Sequence, residues 1–153
     1  MSKDNEGEQS VGPIMAFFRN IAIIEQLSRA RMERALPDGM QVSHFGVLSH
    51  MCHMNRMESP AELADIFQIA RPSMTNTLQK LSAKDYIVIE PDPNDGRGKL
   101  VKITDKGRQA FSQAIQAIAP LYEDTVNTLG VDVFKELLPG LDKVRSYMDS
   151  NRG

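Results

Sequence analysis

Four side chains within ten residues have the chemistry of metal ligands or nucleophiles: His44, His50, Cys52 and His53. Imidazole and thiolate are common zinc ligands, and a Cys–His pair can carry covalent catalysis. Side chains on a helix turn by about 100° per residue, which sets His50, Cys52 and His53 at about 240°, 80° and 180° from His44. No more than His50 and His53 share a face. Cys52 follows Phe45 and Leu48 on an apolar stripe, where a buried thiol is usually inert. The chain also has no glycine-rich phosphate loop, no H-E-x-x-H and no nucleophile elbow. The expectation is a protein without catalytic residues, cofactor or metal, with redox or metal sensing through Cys52 as a minor alternative.

A second set of residues has the chemistry of recognition instead. Between Arg71 and Lys84, Met74, Leu78 and Leu81 fall on one helical face, leaving Pro72, Asn76, Gln79, Lys80 and Ala83 opposite them. Asn76 can donate and accept in a bidentate contact with a base edge, and Ser73 and Thr75 can bond to several edges. With Pro72, these residues would lie deepest in a major groove, while Arg71, Gln79 and Lys80 lie closer to phosphates. Further on, Arg97 stands between two glycines with Lys99 beside it, and such an arginine fits a narrow minor groove of enhanced negative potential. Asp95 is expected to steady that loop.

These residues need particular elements to position them. Ser59-Pro60-Ala61-Glu62 is a capping-box start for a short helix that Arg71-Pro72 brings to an end. The recognition residues occupy the next helix. Tyr86–Glu90 and Leu100–Ile103 are apolar, β-branched runs of strand length, and the nine turn-rich residues 91–99 between them form an exposed loop, or wing. Two short helices, a hairpin and a long loop in this order make a winged helix-turn-helix.

Around this lobe the pattern is helical. Ile14, Phe17, Phe18, Ile21, Ile24, Leu27 and Met32 recur at helical spacing from Pro13 to about Leu36, and Pro37-Asp38-Gly39 stops them. A second helix starts near Ser43 and ends around Arg56. Thr104 can cap a long helix to Gly130, which Pro120 should kink, and a last helix spans about 132–149, with Pro139-Gly140 expected to interrupt it. The fold class is therefore mainly α with a small β-hairpin. Its parts are a flexible stretch 1–12, a winged lobe 43–107, and a helical region from 13–36 and 108–149 whose apolar stripes suit homodimerisation.

Composition is compatible with this reading. A chain of 153 residues, 41% hydrophobic and 25% charged, fits one globular unit. Its polar start and short apolar runs argue against a signal peptide or membrane span, and its single cysteine fits the cytoplasm. The net charge of -2 is unevenly spread. Residues 68–108 carry eight basic and five acidic side chains, a local excess of three positive charges inside an otherwise acidic chain.

Ala70-Arg71-Pro72-Ser73-Met74-Thr75, Asp92-Pro93-Asn94-Asp95-Gly96-Arg97, and Val101-Lys102-Ile103-Thr104 followed by Gly107 resemble the multiple antibiotic resistance regulator (MarR) family. The wing is the more specific part, with Asp95, Arg97, Val101, Ile103, Thr104 and Gly107 in the family's positions. Three residues depart from its pattern: Asn94 where arginine is frequent, Ala70 where a capping serine is common, and Gln68 where the turn often has glycine. The resemblance implies a homodimeric transcription regulator, expected to be a repressor, on a pseudo-palindromic double-stranded operator and often released by a small-molecule effector. It further implies Arg97 as the minor-groove residue, Asp95 as its structural partner, and Ser73, Thr75 and Asn76 as groove-facing residues. A winged-helix protein-interaction module without DNA binding is the alternative.

Overall fold

Helix α1 runs from Lys3 to Ala35 in the computed structural model, which describes residues 3–151. The expected flexible stretch 1–12 is, from Lys3 onward, the opening of this helix. Pro13 removes a single amide donor without ending the helix. Leu36 before Pro37 is extended, as a residue preceding proline tends to be, and a 3-10 turn at Pro37–Gly39 leads into helix α2, Val42–Met54.

The buried side of α2 is His44, Val47, Leu48 and Met51. This stripe is rotated from the one expected, since Phe45 and Cys52 are only half-buried. Phe45 lies instead against Phe111, with ring centroids 5.4 Å apart. Helix α3, Pro60–Phe67, carries the expected capping box: Ser59 Oγ accepts from the Glu62 amide at 3.2 Å, and Glu62 Oε2 accepts from the Ser59 amide at 2.7 Å. Those hydrogen bonds hold the Glu62 carboxyl below its ordinary pKa.

Helix α4 is Arg71–Ala83. Asp85 then adopts a left-handed conformation that lets the Tyr86 amide return to the Leu81 carbonyl at 3.0 Å and opens strand β1, Ile87–Pro91. It pairs antiparallel with β2, Lys99–Ile103, in the register Ile87↔Ile103 to Pro91↔Lys99. On its other side β2 meets Glu58, whose carbonyl accepts the Val101 amide at 2.9 Å. Leu48, Met51, Leu63, Met74, Leu78, Leu81, Ile87 and Val101 are fully buried, so α2, α3, α4 and the hairpin close one core.

Thr104 is the expected cap of helix α5, Asp105–Leu129: its Oγ1 accepts from the Gly107 amide at 3.0 Å and donates to the Asp85 carbonyl at 2.6 Å. Helix α5 continues through Pro120, and Gly130 separates it from α6, Val131–Ser150. The expected interruption at Pro139-Gly140 does not occur. Proline there withholds one amide from Lys135, whose exposed surroundings allow water to take the carbonyl instead.

The chain divides into two compact units, 1–117 and 118–153. In the first, α1 leaves Ile14, Phe18, Ile21, Ile24 and Leu27 exposed. In the second, so are Tyr122, Val126, Leu129, Leu137, Leu138 and Met148. Among the described residues no helix is long and apolar enough to cross a membrane.

Candidate nucleic-acid interface

Helix α4 is sealed into the core along one side and open along the other. Met74, Thr77, Leu78 and Leu81 are its buried residues, while Arg71, Pro72, Ser73, Thr75, Asn76, Gln79 and Lys80 are all exposed. Thr77 extends the buried face beyond the apolar residues that the sequence pattern singles out. The seven exposed residues form a polar and cationic surface, with the small side chains and Asn76 toward the helix start. Thr75 Oγ1 donates to the Arg71 carbonyl at 3.0 Å, which fixes its rotamer and leaves its lone pairs outward.

Two turns in the backbone hold α4 in place. Gln68 caps α3 with a φ of 56°, the left-handed position where glycine is commonest, and its amide returns to Ala64 and Asp65. Its side-chain amide also donates to the Asp65 carbonyl, a local bond that glycine could not make. Ala70 has the extended conformation of an N-cap but supplies no side-chain acceptor; the Ser73 amide bonds to the Ala70 carbonyl at 2.9 Å. At the other end, Lys84 Nζ donates to the Asp38 carbonyl at 2.5 Å and lies over the Tyr86 ring, tying the end of α4 to the turn before α2.

The wing tip is the seven residues Asp92–Gly98, since Pro91 and Lys99 already pair as strand residues. The tip closes on itself: the Asp92 amide bonds to the Gly98 carbonyl at 3.0 Å, and the Gly98 amide to the Asp95 carbonyl at 3.0 Å. Two aspartates order it from within. Asp92 Oδ1 accepts from the Asn94 amide at 2.9 Å, and Asp95 Oδ1 accepts from the Arg97 amide at 3.0 Å. Asp95 therefore holds the backbone of Arg97 rather than its guanidinium. Among the described residues no carboxylate pairs with that guanidinium, and Arg97 and Lys99 are both exposed.

The His and Cys residues of α2 do separate things. His44 is buried, with Nδ1 accepting from the Gln41 amide at 3.2 Å and Nε2 without a partner. Burial, then Lys80 and Lys84, lower its pKa. His50 Nε2 meets Glu58 at 2.6 Å, and His53 Nδ1 meets the Ser49 carbonyl at 2.7 Å. Burial raises the Cys52 pKa despite Arg108 beside it, keeping the thiol protonated. No group of three or more His, Cys, Asp or Glu side chains able to hold a metal occurs among the described residues.

Glu58 is the residue that sequence reasoning missed. Its side chain is 4% exposed and receives Arg56 Nε at 2.9 Å and Nη2 at 2.7 Å as well as His50. An acid in a short polar link carries no periodicity signal; only the spacing of Arg56 two residues before it hints at a pair.

A short helix, a tight turn, a second helix with an open polar face and a hairpin ending in a cationic loop define a winged helix-turn-helix protein. Comparison with known proteins places it further. The sequence profile of the MarR family matches residues 38–98. The multiple antibiotic resistance protein MarR of Escherichia coli is 31% identical over 87 residues, which cover 56% of this chain and 60% of that protein, so the match spans less than two thirds of that relative. Among solved structures, a cysteine-to-serine mutant of Escherichia coli MarR complexed with operator DNA has a TM-score of 0.77 at 27% identity, covering 86% of this chain and 95% of that one. A MarR family transcriptional regulator from Streptomyces coelicolor has the same fold, with a TM-score of 0.80 at 19% identity over 92% of this chain and 99% of that one. The likeness to the MarR family thus spans the helix-turn-helix and wing in sequence, and most of the chain in fold.

Proposed function

We propose that this protein is a homodimeric transcription regulator, a repressor rather than an enzyme, that binds a pseudo-palindromic site on duplex DNA in the cytoplasm. Helix α4 enters the major groove, with Pro72, Ser73, Thr75 and Asn76 at base edges and Arg71, Gln79 and Lys80 at phosphates. The wing places Arg97 in the adjacent minor groove, Lys99 on the backbone, and Asp95 behind them as the residue that shapes the loop. The observation that carries this reading is the open face of α4: every side chain suited to a groove is exposed, while the opposite side is sealed in the core.

The likeness to an operator-bound relative supports the same docking. Exposed apolar faces on α1, α5 and α6 support a dimer built from 13–36 and 108–149, since such stripes are more extensive than a monomer ordinarily leaves in water. Two recognition helices about 34 Å apart then meet successive major grooves, and a small-molecule effector that alters their spacing alters operator affinity. Gel-shift titration on fragments selected from the source genome tests the proposal. Binding that weakens steeply with salt and yields a two-fold symmetric half-site pattern is the expected result. Affinity that is absent at low salt would leave the protein-interaction reading in its place.

A further inference from the structure

Residue 58 stands at the junction of the wing and the helix-turn-helix, and it is a buried acid. Its carbonyl accepts the Val101 amide at 2.9 Å on the edge of β2 away from β1, and Ser59 beside it caps α3. From Val101 the chain leads back along β2 to Lys99 and then to Arg97 in the wing tip. Helix α3 in turn packs against α4. The orientation of one backbone unit is therefore shared by the two parts that the proposed function sends to DNA.

Both oxygens of the Glu58 side chain are committed. Oε1 accepts from Arg56 Nε at 2.9 Å and from Nη2 at 2.7 Å, and Oε2 lies 2.6 Å from His50 Nε2. The His50 ring also meets Phe67, the last residue of α3, edge to face with centroids 5.7 Å apart. One side chain of α2 thus bridges the approach to α3 and its end.

An apolar side chain of similar volume at this position would carry no charge to desolvate, and replacing a buried ion pair in that way is often neutral or stabilising. Stability alone gives no reason for an acid whose side chain is 4% exposed. What the charge adds is direction. A two-pronged guanidinium on one oxygen and an imidazole on the other fix the plane of the carboxylate, and with it the backbone of residue 58, as packing alone does not. Resting on the DNA-binding reading above, we infer that Glu58 is a positioning residue for the wing. It touches no DNA; it sets the angle at which Arg97 reaches the minor groove while α4 occupies the major groove.

Two variants of the full chain test this. Glu58→Gln keeps the shape and loses the charge, and Glu58→Met removes every polar bond at similar volume. Glu58→Met should leave the thermal midpoint unchanged or raised. By NMR its Val101 amide should exchange with solvent at least about tenfold faster, with the Leu48 amide at its native rate, and Glu58→Gln should act in the same direction by less. In gel shifts Glu58→Met should lower affinity at least about fivefold, a loss that vanishes in an Arg97→Ala background and persists in an Asn76→Ala background. Native exchange at Val101 in both variants would overturn the inference, as would native affinity, or a loss that adds in full to that of Arg97→Ala. A lowered midpoint with equal weakening in both backgrounds would also overturn it, since general unfolding acts on α4 and the wing alike. If Glu58→Met does not fold, Glu58→Gln decides by the same measurements. If the native chain binds no DNA fragment, the DNA-binding reading falls, and Val101 exchange alone decides whether Glu58 holds the wing.

Discussion

Gly107, in the first turn of α5, stands so close to the carbonyl oxygen of Tyr86 that a Cβ on residue 107 would overlap it. The same carbonyl accepts the Thr104 amide at 3.0 Å, so the glycine, the threonine cap and the start of the hairpin are fitted to one another. This contact is backbone against side chain, and neither a rotamer change nor a small side-chain shift relieves it. Gly107→Ala is expected to destabilise the fold by at least about 2 kcal/mol, in the range of overpacked interior sites. Urea denaturation measures it, with Gly96→Ala in the open wing tip as the control that changes little.

Ala70 offers the reverse opportunity. Its backbone already has cap geometry, and the missing acceptor is the side chain alone. Ala70→Ser should raise stability by about 0.5–1 kcal/mol, seen as a higher urea midpoint at unchanged slope. A lower midpoint would mean that the Ser73 amide, bonded to the Ala70 carbonyl, has no use for a second acceptor.

His44 gives the fold an acid-sensitive point. Burial first, then Lys80 and Lys84, disfavour its protonated form, with Glu33 pulling the other way. The unfolded chain therefore binds this proton more readily than the folded one. The stability carried by the neutral ring is complete above the ordinary histidine value of about 6.5, falls as pH drops through it, and levels off below the lowered folded value. Urea midpoints measured from pH 8 to pH 5 should decline over that window. His44→Gln, which can still accept from the Gln41 amide but does not titrate, should flatten part of the decline.

Arg97 and Asp95 should separate cleanly in DNA binding. Arg97→Ala removes an exposed side chain and is expected to lower affinity at least tenfold with an unchanged thermal midpoint. Asp95→Ala frees the Arg97 amide and loosens the loop, so it should lower affinity through a wing that remains charged. The two losses should be less than additive when combined, because both act through one arginine. Full additivity in gel shifts would separate Asp95 from the placement of Arg97.

Asn76→Ala tests direct readout. It should relax preference at one position of each half-site while leaving the others intact, and an unaltered selected-site pattern would remove Asn76 from the base contacts.

Much of this architecture was legible because local chemistry and tertiary packing agree. Ser59 and Glu62 specify a helix start whatever surrounds them, and the change from helical spacing to the β-branched runs at Ile87–Ile89 and Val101–Ile103 marks the hairpin. The parts that were not legible depend on partners distant in sequence. On α2, His44 rather than Phe45 heads the buried stripe, because its ring nitrogen is satisfied by the Gln41 amide, a partner that hydropathy patterning does not register. Glu58 is buried because Arg56, His50 and the Val101 amide converge on it. Pro139-Gly140 suggested a break, yet α6 runs through both residues, and nothing in the local sequence explains why.

The self-closed wing tip has a consequence for how such a protein diversifies. Its ordering bonds run among Asp92, Asn94, Asp95, Arg97 and Gly98, with no tether borrowed from the helices among the described residues. Substitutions at Pro93, Asn94 or Gly96 can therefore accumulate without a penalty to the core. Over generations the loop behaves as an exchangeable cartridge, free to drift toward new target sequences while the lobe that carries it stays the same.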